Sequence, residues 1–104
     1  MNIDIHHQGG EARLVLKGRF DFSCRHVFKQ ACDDAITKPE VSALLVDLSD
    51  LEYLDSAALG MLLLLSDKSK AAGKLVSLAA RPGIVSDVLH VARFDKLFTL
   101  RAMP

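Results

Sequence analysis

The 104-residue sequence has little of what marks most specialised classes of protein. It has two cysteines, three prolines and no excess of charge, with 13 Lys or Arg set against 13 Asp or Glu. Two cysteines do not make a disulfide scaffold. If Cys24 and Cys32 share a helix, eight residues place them about 12 Å apart along its axis, too far to bridge. Two reduced, partly buried thiols of a cytoplasmic protein are expected instead. A balanced charge gives no electrostatic footprint for nucleic acid or an anionic membrane surface. The longest apolar run, Ala57 to Leu65, is broken only by Gly60. At nine residues it falls well short of the roughly 20 that a bilayer span needs. The start, Met1-Asn2-Ile3-Asp4-Ile5, has neither a basic segment nor a long apolar core, so it does not read as a signal peptide.

Half the residues are apolar and a quarter are charged, which is the balance of a globular chain. The length suits one domain over 1–104. The apolar rhythm switches between strand and helix. Ile3 to His7 reads as a short strand and Gly9-Gly10 as a hairpin turn. Glu11 to Lys17 alternates, with Ala12, Leu14 and Leu16 on one face, and Gly18 is expected to end that strand. Ser23 is placed to cap a helix reaching about Thr37, with core positions Val27, Phe28, Ala31, Cys32, Ala35 and Ile36. Val41 to Leu48 is a nearly continuous apolar run, expected as a central buried strand. A second helix spans about Ser56 to Ala72, with Gly73 as its C-cap. Leu75 to Ala80 is a strand. Gly83 to Ala92 is a third helix with Ile84, Val85, Val88, Leu89 and Ala92 inward, and Phe98 to Arg101 is a last short strand. The order β-β-α-β-α-β-α-β implies an α/β fold: a mixed sheet, parallel in the middle, with helices packed mainly on one side.

No metal or cofactor signature is present. His6 and His7 are adjacent, so on a strand they point to opposite faces. There is no phosphate-binding loop, no nucleophile elbow and no zinc-protease motif. No residue pair has an evident acid–base role, and no enzyme is expected. Asp47 closes a central strand, where a response-regulator receiver holds its phosphoacceptor. A receiver also needs an acidic pair after its first strand, and Ile3-Asp4-Ile5-His6 offers one Asp within it.

The informative stretch runs from Asp47 to Met61. Asp55 or Ser56 is placed as N-cap of the second helix. Around that helix start, Leu59, Gly60 and Leu63 share a face with Ser56, while Ala58, Met61, Leu62 and Leu65 occupy the other. Both sides are apolar, so either another element covers the second side or it is a docking patch. Gly60 costs about 1 kcal/mol relative to Ala in a helix interior, which points to close approach of another surface. Between Lys38 and Lys68 there is no basic residue, but Glu40, Asp47, Asp50, Glu52, Asp55 and Asp67 are acidic. This predicts an apolar surface around Ser56 with acid near it.

A strand followed by Asp47-Leu-Ser-x-Leu-x-x-Leu-Asp-Ser56-x-x-Leu-Gly-Met-Leu62 resembles the STAS domain of bacterial anti-sigma factor antagonists. Gly18-Arg-Phe-Asp21 and Ala80-Arg-Pro-Gly-Ile-Val85 are similar to two further elements of that family, so the resemblance covers nearly the whole chain. It implies that Ser56 is phosphorylated by an anti-sigma factor that is itself a serine kinase of ATPase fold. The unphosphorylated form would bind the kinase, and a PP2C-type phosphatase would reset it. Asp21, Asp55, Ser56, Ala57, Leu59, Gly60 and Leu63 are then the expected partner-binding residues. Asp21 also reads as a plain turn or helix-start residue before Ser23. STAS domains also serve as regulatory subunits of transport complexes and as controllers of biofilm regulators. Two departures stand out. Ala57 and Ala58 replace the usual Ser or Thr and Gly, which leaves Ser56 the only acceptor in the motif. The sequence after Phe98 shows no fourth helix, unless Phe94 to Leu97 is its vestige.

Overall fold

The structure is a computed structural model that describes residues 1–102. Its elements are β1 (Asn2–Gln8), β2 (Glu11–Phe20), α1 (Arg25–Ile36), β3 (Ala43–Leu54), α2 (Ser56–Ala71), β4 (Leu75–Ala80), α3 (Ile84–Val91) and β5 (Thr99–Ala102). Short 3-10 turns occupy Phe22–Cys24 and Phe94–Lys96. The order is the one the periodicity predicts. One five-stranded sheet takes the strands in chain order, β1-β2-β3-β4-β5. β1 and β2 form an antiparallel hairpin, and every later pair is parallel. Gly9 and Gly10 both have positive φ at the hairpin tip, the geometry that matches strand twist and favours glycine.

The register sorts the two faces. Ala12, Leu14 and Leu16 of β2 lie beside Leu44, Val46 and Leu48 of β3, and Leu78 of β4 continues the layer. Phe28, Ala31, Cys32 and Ala35 of α1, Ala58, Leu62 and Leu65 of α2, and Val85 and Leu89 of α3 close this one core. Phe20 and Phe28 pack ring against ring at 4.8 Å. The other sheet face carries Arg13, Val15, Leu45, Asp47 and Ala79, none of which joins that core.

Several boundaries differ from expectation, each for a physical reason. β2 does not stop at Gly18. It continues to Phe20, with register shifts between Val15 and Lys17 and between Gly18 and Arg19. β3 correspondingly runs on to Leu54, where a loop was expected. The shifts break strict alternation, and the buried positions Leu48, Leu51 and Leu54 then fall three apart. Ser23 is not the cap of the first helix. Asp21 accepts a hydrogen bond from Ser23 N at 3.0 Å and opens a 3-10 turn, and α1 starts at Arg25. Val27 is 48% exposed at the edge of the apolar stripe, and Ile84 is 71% exposed at the first position of α3, so neither is core. Among the described residues, no helix is long and apolar enough to cross a membrane.

Candidate functional site

Parallel strands followed by helices on one face deliver successive strand ends to one edge of the sheet. Phe20 pairs with Leu54, and Asp55 N donates to Phe20 O at 3.3 Å. The residues after each strand, Asp21 and Asp55, are therefore neighbours. They repeat one local design. Both have extended backbone, and both use a side-chain oxygen to accept from a backbone amide in the turn that follows. Asp21 takes Ser23 N, and Asp55 takes Ala58 N at 2.9 Å. Hydrogen bonds from the Ser23 hydroxyl and amide hold the Asp21 carboxyl below the usual carboxylate range.

This geometry resolves the two candidates for the α2 cap. Asp55 is the N-cap, and Ser56 is the first helical residue. The Ser56 side chain is exposed, and its hydroxyl makes no hydrogen bond among the described residues. Beyond it, Ala58, Leu62 and Leu65 point into the core, while Ala57 and Leu59 are half-buried and Gly60 is exposed. Leu63 and Leu64 are exposed too, the latter at 61%. The second side of α2 is thus left uncovered. The expected partner-binding residues converge: Asp21 comes from the end of β2, Asp55 from the end of β3, and Ser56, Ala57, Leu59, Gly60 and Leu63 from the first two turns of α2.

Two expectations about this region are narrowed. Gly60 packs against nothing within the chain, because a Cβ there would meet nothing within 4 Å, so a close approach there is left to a partner surface. Of the acidic run, Asp55 stands directly beside Ser56, but Glu40, Asp47 and Asp50 are placed or engaged elsewhere. Glu40 precedes β3, near the hairpin tip, whereas Ser56 follows that strand's far end. Asp50 faces Arg81 at 3.9 Å. Asp47 is buried and ion-paired to Arg13, whose Nε donates to it at 3.1 Å. It also accepts from Ser49 N at 3.0 Å. A carboxylate so enclosed is not presented to a phosphodonor, which removes it as a receiver-type acceptor. Burial pushes the Asp47 carboxyl up, but hydrogen bonds from Ser49 and Arg13 outweigh it and hold the group below the usual range. The Arg13–Asp47 pair is the feature the sequence reading missed. Its available signal was a lone carboxylate inside an apolar strand, which demands a partner.

Comparison with known proteins places this arrangement. The family model described as "Mlab, STAS domain" matches residues 3–101. The chain belongs to the STAS domain family. A STAS-domain containing protein of Pseudomonas aeruginosa (strain UCBPP-PA14) is 37% identical over 92 residues, which cover 88% of this chain and 89% of the relative. Among solved structures, an anti-sigma factor antagonist from Mycobacterium paratuberculosis superimposes with a TM-score of 0.79 at 21% identity, covering 96% of this chain and 84% of that one. The Bacillus cell fate determinant SpoIIAA in its phosphorylated form superimposes with a TM-score of 0.74 at 13% identity, covering 99% and 92%. At these identities the likeness shows a shared fold, with the sheet order and helix placement expected of STAS domains.

Proposed function

We propose that this STAS chain, a single domain over residues 1–104, is a phosphorylation-controlled protein-binding switch acting as an anti-sigma factor antagonist in the cytoplasm. It binds a serine kinase of ATPase fold, itself the anti-sigma factor, while Ser56 is unmodified. Phosphorylation of Ser56 releases it, and a PP2C-type phosphatase restores it. The chain acts by binding and not as an enzyme.

One observation carries this reading: Ser56 is exposed with a free hydroxyl at the start of α2, because Asp55 has taken over the capping role. A phosphate there would lie against the positive end of a helix whose first-turn amides are free apart from that of Ala58, which Asp55 takes. The carboxylates of Asp21 and Asp55 oppose it. The fold therefore tolerates the phosphate, and the damage falls on docking at the exposed Gly60 and Leu63, with the half-buried Leu59 beside them. That the solved relatives include an antagonist by name and a phosphorylated form supports the same reading.

Titration calorimetry against the partner kinase tests it. Ser56→Ala should bind constitutively, and phosphorylated protein should bind weaker by a few kcal/mol, on the order of a hundredfold. Equal affinity for the two would end the proposal. The description of the matching family model, "Mlab, STAS domain", names no sigma factor, which leaves room for a second reading in which the same surface controls another target. A transport complex or a biofilm regulator are the alternatives. A pull-down that recovers a transporter subunit in place of a kinase would select it.

A further inference from the structure

Away from Ser56, α1 and α2 flank a half-open hollow of about 240 Å³, as much exposed to solvent as enclosed. Its floor is Phe28, Cys32 and Leu65, all buried core residues, and Met61 forms a half-buried wall. The lining is almost wholly apolar. An apolar hollow holds water poorly and gains by taking up a hydrocarbon; a cavity of about 150 Å³ is enough to admit benzene. The volume is below the roughly 300–1,000 Å³ typical of pockets for drug-sized ligands. It suits one unbranched chain and is too small for the face of a partner helix.

The rim is charged with one sign in excess. Arg25, Lys29 and Lys68 stand around it. Asp33 is shared by Lys29 at 2.8 Å and Lys68 at 3.2 Å, so one carboxylate serves two ammonium groups. Arg25 lies over the Phe22 ring at 4.1 Å, donates to Phe22 O and has no acidic partner among the described residues. An apolar floor beneath a cationic rim complements a ligand with an alkyl tail and an anionic head.

We propose that this cavity binds a free medium-chain fatty carboxylate, with its tail between Phe28, Met61 and Leu65 and its head at Arg25, the rim cation that faces no acid among the described residues. The cysteine on the floor has no covalent part in this. Burial pushes the Cys32 thiol up to about 12, so it stays protonated and acts as apolar lining.

The test is an amide NMR titration of the full unphosphorylated chain, without kinase, so its outcome is independent of the role of Ser56. The probes are octanoate, decanoate and decyltrimethylammonium, each kept below its micelle concentration. Decanoate should shift Phe28, Cys32, Met61 and Leu65 saturably, about tenfold tighter than octanoate for its two extra methylenes. Decyltrimethylammonium, with the same tail and the opposite head, should bind at least about tenfold weaker. Met61→Trp should fill the cavity and cost at least about tenfold in decanoate affinity. Arg25→Glu, at an exposed position, should reverse the preference between the two heads without unfolding the chain. Absence of saturable shifts at these residues, or equal binding of the two heads, would overturn the proposal. So would shifts at the same amides that grow with protein concentration alone, which would make a second copy the occupant.

Discussion

Asp47 reaches across to Arg13 on the neighbouring strand, on the sheet face that the helices leave free, and the pair joins a buried carboxylate to a half-exposed guanidinium. Removing the two partners is therefore not equivalent. Arg13→Met leaves a buried carboxylate held by Ser49 alone and should cost about 2–3 kcal/mol. The double variant Arg13→Met with Asp47→Leu removes the buried charge as well and should recover part of that loss. Urea unfolding of both variants measures the difference.

The same pair sets the acid limit. Asp47 titrates lower in the folded chain than in the unfolded one, where an aspartate has a pKa of about 3.9. Its contribution is fully present above that unfolded value and is lost as pH falls through the folded one. Asp21 and Asp33 are shifted in the same direction, Asp21 by Ser23 and Asp33 by Lys29 and Lys68. The urea midpoint should stay flat from neutrality to about pH 5 and fall below about pH 4. Arg13→Met should flatten that fall, as read from urea midpoints across the pH series.

Capping and phosphate acceptance belong to different residues, so they separate by mutation. Asp55→Ala should lose about 1 kcal/mol of stability through the orphaned Ala58 amide. Ser56→Ala should stay within about 0.5 kcal/mol of the parent, because its hydroxyl makes no bond to lose. Thermal unfolding compares them, and a large loss in Ser56→Ala would contradict the geometry at the start of α2.

Gly60 has open space where a side chain would stand and a normal helical φ. Gly60→Ala should therefore stabilise the chain by about 0.5–1 kcal/mol. If the partner kinase docks on this turn, the same variant should weaken its binding, and calorimetry beside thermal unfolding would show the two effects moving in opposite directions.

Cys24 and Cys32 are both free and buried. Neither should react appreciably with iodoacetamide in the native chain, and both should react rapidly in denaturant. Mass spectrometry of the labelled protein reads the outcome directly.

The element order was legible because each β-α step changes the apolar period from two to about 3.6. Ala12, Leu14 and Leu16 alternate cleanly, and Phe28, Ala31, Cys32 and Ala35 form a helical stripe. What stayed hidden depends on how strands meet. The bulges in β2 that let β3 run to Leu54 leave no local mark except Gly18. Arg13 and Asp47 are 34 residues apart, and only the parallel register brings them together. The site was legible in its residues and not in its details. Asp55 and Ser56 compete equally for the cap on sequence alone, and the backbone decides between them. The position of Glu40 at the far end of β3 follows from strand direction, so a linear run of acids said nothing about a shared surface.

Strand order in the sheet equals strand order in the chain. A ribosome thus releases the strands in the sequence in which they pair, and none must wait for a later one to be inserted between it and its neighbour. The β1–β2 hairpin is made before α1, and each following helix and strand would add at a single growing edge. β5, which pairs through only four residues, joins last. The residues around Ser56 come from β2, β3 and α2 and so are made before the last two strands, although α2 still needs β4 to complete the core beneath it.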